Sequence, residues 1–177
     1  MTRINKQFKL KTLGKKIYRD LSQDMFRYIE FKDGFAYVTN GMFILKSNID
    51  NVFDNITTKE KDIIDGKKML ISDFEALRKS ESIEMGVKEI IGKDKNGYVG
   101  LLLDIKPSAS IHEKYDSWMN GKRDKASYMW LSLECTSIIS SIVDDQNFNV
   151  DIICKEFCHA TSFWGGHEFI LKNKKSK

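Results

Sequence analysis

Four residues near the C-terminal end carry side chains that could bind zinc or supply a nucleophile: Cys154, Cys158, His159 and His167. Zinc is held tetrahedrally, usually by ligands at close C-x(2–4)-C spacings on turns or a helix end. Cys154 and Cys158 are separated by two strand periods, so in one uninterrupted strand they point to the same face about 13 Å apart, and His159 points to the other. Only a bend at Glu156 would bring them together as a site. A cysteine nucleophile would need a base such as His112 or His167 beside it and an oxyanion hole nearby. No nucleophile elbow accompanies either cysteine. Gly14-Lys15 and Gly66-Lys67 lack the earlier glycine of a P-loop, and there is no G-x-G-x-x-G. The expectation is a protein that is not an enzyme and carries neither metal nor cofactor.

Charge gives a second kind of chemistry. The 177 residues carry a formal net charge of +4, unevenly spread: +6 lies in residues 1–20, +4 in residues 172–177, and −6 on the rest. A local basic patch can contact phosphate, whereas a diffuse excess mainly tunes solubility. Lys11, Lys15, Lys16 and Arg19 project from one side of a possible helix whose other side holds Leu10, Leu13, Ile17 and Leu21. Arg78 and Lys79 end a second helix. Together they make a nonspecific DNA footprint whose affinity should fall steeply with salt, or else the solvated sides of amphipathic helices.

The elements that must position these residues follow one rhythm, a helix followed by short strands. Lys32-Asp33-Gly34 and Asn40-Gly41 separate apolar runs at 25–31, 35–39 and 42–48, the strongest short-range signal for hairpins. Residues 49–66 read as a surface connection. A strand at 68–71 then leads to a helix opened by a Ser72-x-x-Glu75 capping box, with Phe74 and Leu77 facing inward. Strands are expected at 82–85, 88–92 and 98–105. After a polar loop over 107–125, the order repeats with a strand at 127–131, a helix at 133–143, and strands at 149–155, 157–163 and 167–172. The fold class is α+β, built from repeated units of a helix and an antiparallel three-strand meander. Two half units fill 1–106, and a third, with a basic tail, fills 126–177.

Within this pattern, Phe31-Lys32-Asp33-Gly34-Phe35-Ala36-Tyr37-Val38-Thr39-Asn40-Gly41-Met42-Phe43-Ile44-Leu45-Lys46 resembles the strand-turn-strand signature of bacterial DNA sliding clamps, the polymerase III beta-subunit family. It is most similar to the short clamp-like proteins of some bacterial genomes and mobile elements. Lys114-Tyr115-Asp116-Ser117-Trp118 resembles the loop that precedes the next unit in clamps. Asn40, Met42 and Phe43 depart from the family's Asp-x-His-Arg pattern, and the loop proline after Tyr115 is missing. The resemblance implies a clamp-like fold whose helices face the duplex backbone, and partners that are duplex DNA or replication proteins. It also leaves open an adaptor or inhibitor that keeps the fold without encircling DNA.

Trp118 and Trp164 sit in stretches read as loops and are the candidate partner-binding aromatics, able to anchor a protein or to fold back on the sheet. Three cysteines, an odd number, do not make a disulfide framework. The N-terminal stretch has no apolar targeting region, and no apolar window is long enough to span a bilayer, so a cytoplasmic location without membrane contact is expected. A homo-oligomer is compatible with the reading, since three units do not close a ring.

Overall fold

A computed structural model describes residues 1–11, 13, 24–120, 133–143, 147–154, 156–162 and 166–172. The class is α+β, with every strand pair antiparallel. Strands β1 (Arg3–Ile4), β2 (Tyr28–Lys32), β3 (Phe35–Thr39), β4 (Phe43–Asn48), β5 (Phe53–Asp54) and β6 (Lys67–Leu70) come first. They are followed by β7 (Ile83–Met85), β8 (Glu89–Gly92), β9 (Val99–Leu101), β10 (Leu103–Asp104), β11 (Phe148–Ile152), β12 (Phe157–Ser162) and β13 (His167–Lys172). The helices bounded within the described residues are α1 (Ile49–Val52), α2 (Thr58–Ile64), α3 (Ile71–Leu77), α4 (Ile111–Met119) and α5 (Leu133–Val143).

The expected first meander forms around its turn residues. Asp33 and Gly34 adopt φ of 52° and 79°, the left-handed pair that a two-residue hairpin requires, and Phe35 returns opposite Lys32. Residues 24–27 are a 3-10 turn, so β2 starts three residues later than the apolar pattern indicates. The C-terminal meander also forms close to its expected bounds.

The three stretches do not, however, build three equal sheets. β4 pairs with β13, so the first and last meanders fuse into one eight-stranded sheet of order β10-β6-β2-β3-β4-β13-β12-β11. The middle stretch is divided: β6 joins that sheet, while β7, β8 and β9 form a sheet of their own. The strand running from Val99 to Ile105 links the two. Leu102 N donates to Lys88 O on one side, and Ile105 N donates to Gly66 O near the start of β6.

One face of the large sheet carries Ile29, Phe31, Leu45, Cys158 and Phe169 into the main core. Helices α3 and α5 supply the opposing layer through Phe74, Leu77, Ile138, Ile139 and Ile142, as their apolar spacing requires. Phe74 meets Phe8 and Phe53 edge-on, with ring centroids 6.0 Å and 6.2 Å away. Gly100 lets β9 lie directly on this layer, because a Cβ there would be 2.8 Å from Leu77 Cδ1 and the Met69 side chain. The other face of the sheet holds Tyr37, Ile44 and Ile170 against Ile111 and Tyr115 of α4.

Several expectations are corrected. Residues 49–66 are not a simple surface connection: they contain α1, β5 and α2, and they bury Ile49, Val52, Phe53 and Ile64. The capping box lies at Thr57 and Glu60, opening α2. Helix α3 starts at Ile71 with Leu70 as its cap and no side-chain capping bond, and the Ser72 hydroxyl lies against Asp73 instead. The stretch expected as a polar loop holds a 3-10 turn at Pro107–Ala109 followed by α4. Of the first helix, Lys11 and Leu13 are described and helical; the remainder of its face, and the strand expected at 127–131, fall outside the described residues.

Because Phe74 is fully buried where α3, the N-terminal segment and β5 meet, Phe74→Ala should lower unfolding stability by about 3–5 kcal/mol. Urea denaturation followed by circular dichroism measures it. A loss below about 1 kcal/mol would mean that this layer does not hold the core.

Candidate functional site

Basic residues from two distant segments meet on one surface. Residues 5–11 cross the C-terminal ends of α3 and α5: Lys9 N donates to Ile142 O at 3.0 Å, and Leu10 N donates to Glu75 Oε1 at 2.6 Å. Glu75 also holds Arg78, with Nη2 to Oε2 at 2.9 Å, and Arg78 Nη1 reaches Lys6 O at 3.4 Å. The carboxylate expected to cap its own helix is thus used to bind the crossing segment. Burying an unpaired Leu10 N–H would cost more than leaving an exposed helix start uncapped.

The crossing leaves Lys6, Lys9, Lys11 and Lys79 exposed around one junction. Lys79 Nζ lies 5.8 Å from the centre of the Tyr98 ring. Arg78 is placed differently from a freely projecting cation, because its guanidinium is largely buried in the ion pair with Glu75. Lys15, Lys16 and Arg19 lie outside the described residues, as does Trp164. Lys6 and Lys9 precede the helix face and so do not show in its periodicity. Their signal in the sequence is their place in the +6 segment.

The opposite face of the large sheet carries a second constellation, organised by α4. Glu30 is 1% exposed, and its Oε2 accepts from Ile111 N at 2.7 Å, Ser110 Oγ at 3.2 Å and His112 N at 3.3 Å. A carboxylate is favoured there by the helix dipole and the unpaired N–H groups of the first turn. Burial still dominates, raising the Glu30 pKa above its ordinary value against the pull of those bonds and of Lys68. Farther along α4, Tyr115 OH donates to Glu168 Oε2 at 2.9 Å. His159 Nε2 lies 3.2 Å from the same oxygen, and Lys46 Nζ lies 3.6 Å from the other. Burial pushes Glu168 up, but the Tyr115 bond, Lys46 and His159 together outweigh it and hold the carboxyl below its ordinary value.

Trp118, expected on a loop, sits on α4 and stacks on Phe157 with centroids 4.7 Å apart. It serves as an anchor within the fold. Cys154 and Cys158 are not on one continuous strand: the chain bends after β11, with Cys154 N donating to Phe157 O. Cys158 is fully buried in the main core, and burial pushes its thiol up to about 11, so it is protonated and weakly nucleophilic at neutral pH. His159 lies on the opposite face, as strand alternation requires. Among the described residues, no three His, Cys, Asp or Glu side chains are grouped so as to hold a metal ion. A cleft of about 100 Å³ is lined by Asn5, Gln7, Phe8, Asn51, Val143 and His167, beside the crossing segment. His167 Nδ1 lies 2.9 Å from Ser47 Oγ there.

No family model, curated protein or solved structure matches the chain. Among the described residues, no helix is long and apolar enough to cross a membrane.

The two carboxylates that secure α4 should respond oppositely to pH. A raised folded pKa favours the protonated state, so Glu30 contributes most below 4.5 and its contribution is lost as pH rises through its raised value. For Glu168, with its lowered pKa, the contribution is present above 4.5 and is lost as pH falls through the folded value. Relative to Glu30→Gln, wild type should therefore gain stability between pH 7 and pH 4. Relative to Glu168→Gln, it should lose stability as the pH is taken below 4.5. Urea titrations across that range read both signs, and equal signs would refute the assignment.

Proposed function

We propose that the protein is a noncatalytic, clamp-like protein that associates with duplex DNA or with replication proteins, using Lys11, Lys15, Lys16, Arg19 and Lys79 against the phosphate backbone. One observation carries this reading: residues 6–11 cross α3 and bring cations from two segments about seventy positions apart onto one surface. Lys6 and Lys9 join that surface, while Arg78 acts mainly by holding the crossing segment in place. Exposed lysines suit contact with a phosphate backbone rather than with sequence. The acidic balance of the rest of the chain would keep the contact local.

A second reading, a protein-interaction adaptor, is favoured by a different observation. Val99, Leu101 and Leu103 alternate outward along β9 and β10, and each is more than 40% exposed. An exposed aliphatic row of this kind suits contact with the apolar surface of a protein partner.

Fluorescence titration of a duplex at rising salt distinguishes the two readings. The DNA reading expects a linear fall of log affinity with log salt, and Lys11→Gln with Lys79→Gln should flatten that slope by about 2. Absence of binding even at low ionic strength would remove it. A flat titration together with a partner complex disrupted by Leu101→Lys would establish the adaptor.

A further inference from the structure

We propose that β11 is a self-pairing edge through which two copies of this chain join about a two-fold axis. Among the described residues, β11 is the outer strand at one end of the eight-stranded sheet, with nothing paired to its far side. Asn149, Val150, Asp151 and Ile152 are all exposed, including two aliphatic side chains, Val150 at 46% and Ile152 at 39%. Sheet edges are ordinarily protected by lysine, proline, a bulge or a covering element. β11 has neither lysine nor proline, and its one charge is Asp151.

The hydrogen-bonding parity of the strand is fixed by its hairpin. Ile152 lies opposite Cys158, and Ile153 N donates to Phe157 O just beyond. Alternate residues of an extended strand direct their N–H and C=O groups to opposite edges. Asn149 and Asp151 therefore spend theirs on β12, and Phe148, Val150 and Ile152 direct theirs outward.

The occupant is read from the sequence of the edge itself. When Phe-Asn-Val-Asp-Ile is laid antiparallel to a second copy with Val150 on the axis, Val150 meets Val150 and Phe148 meets Ile152. Asn149 meets Asp151, an amide donor opposite a carboxylate. Every outward N–H then faces an outward C=O, apolar side chains meet apolar ones, and no like charges stand directly opposite. His159, the cross-strand neighbour of Asp151 on β12, lies on the same face as both copies of Asp151. A foreign strand would find the same outward backbone groups but not this match of side chains. The contact is isologous: each copy presents the same patch, and the pairing closes at two. It neither uses nor requires the basic surface, so it stands independently of the DNA reading.

The test is light scattering on the full chain in the absence of DNA, as its concentration is raised from about 1 µM to several hundred µM, a range suited to a small interface. The mass should rise from 20.5 kDa toward twice that value. Val150→Lys, which sets like charges opposite each other on the axis, should weaken association about tenfold or more. Val150→Cys should form a disulfide-linked dimer on mild oxidation, because a hydrogen-bonded antiparallel pair holds its Cα atoms about 5.5 Å apart, within disulfide range. Oxidised wild type and Val87→Cys, exposed at the end of β7's hairpin, give the background. A mass that stays at one protomer throughout overturns the proposal. So does a dimer that Val150→Lys leaves intact, or cross-linking of Val150→Cys no greater than the background.

Discussion

The pairing of β4 with β13 is the constraint on which the rest of the structure depends. Ser47 and His167, 120 positions apart, face each other across it. Its register sets Phe43 and Leu45 beside Leu171 and Phe169 on one face, and Ile44 beside Ile170 on the other. The first group closes the main core under α3 and α5, and the second forms the floor on which α4 rests. A slip of one residue would exchange the two faces of β13, turning Glu168 away from Tyr115 and into the main core in place of Phe169 and Leu171. Closing so long a loop is costly in entropy, which suits a fold whose meanders form locally and then join.

Helix α4 turns this sheet from a two-layer into a three-layer structure, and it does so across a polar surface. Its N-terminus is held by Glu30, its middle by Glu168 through Tyr115, and its end by the stack of Trp118 on Phe157. Each contact meets a requirement that apolar packing alone would leave open. The first-turn N–H groups gain an acceptor, the phenol gains a carboxylate, and Lys46 gains both a counter-ion and the face of Phe35 at 4.2 Å.

The features legible in the sequence were those whose cause is local. Asp33-Gly34 declares a hairpin because few other residues tolerate its backbone, and the apolar stripe Ile138, Ile139, Ile142 and Val143 declares α5. The capping box at Thr57 and Glu60 is equally local, set in a stretch whose acidic and polar residues resemble those of a surface connection. What could not be read was anything settled by a distant partner. Glu75 abandons its own helix start for Leu10 and Arg78, and α4, whose buried side chains are Ile111 and Tyr115, has two of its first-turn N–H groups bound by Glu30, some eighty positions earlier. The candidate site divides in the same way: the cations of Lys11, Arg78 and Lys79 are visible as residues, but their meeting depends on the crossing of residues 6–11, which no periodicity encodes.

The strand from Val99 to Ile105 gives the molecule a mechanical property. Because it bonds first to β8 and then to the β6 side, neither sheet can swing away without breaking backbone bonds in a segment the other also holds. Gly100 presses this shared strand against α3, so the helix end that carries Lys79 is tied to both sheets at once. Strain applied at the basic surface would therefore spread through the whole framework instead of bending a single element. The exposed Lys79 is thereby carried on a stiff mount.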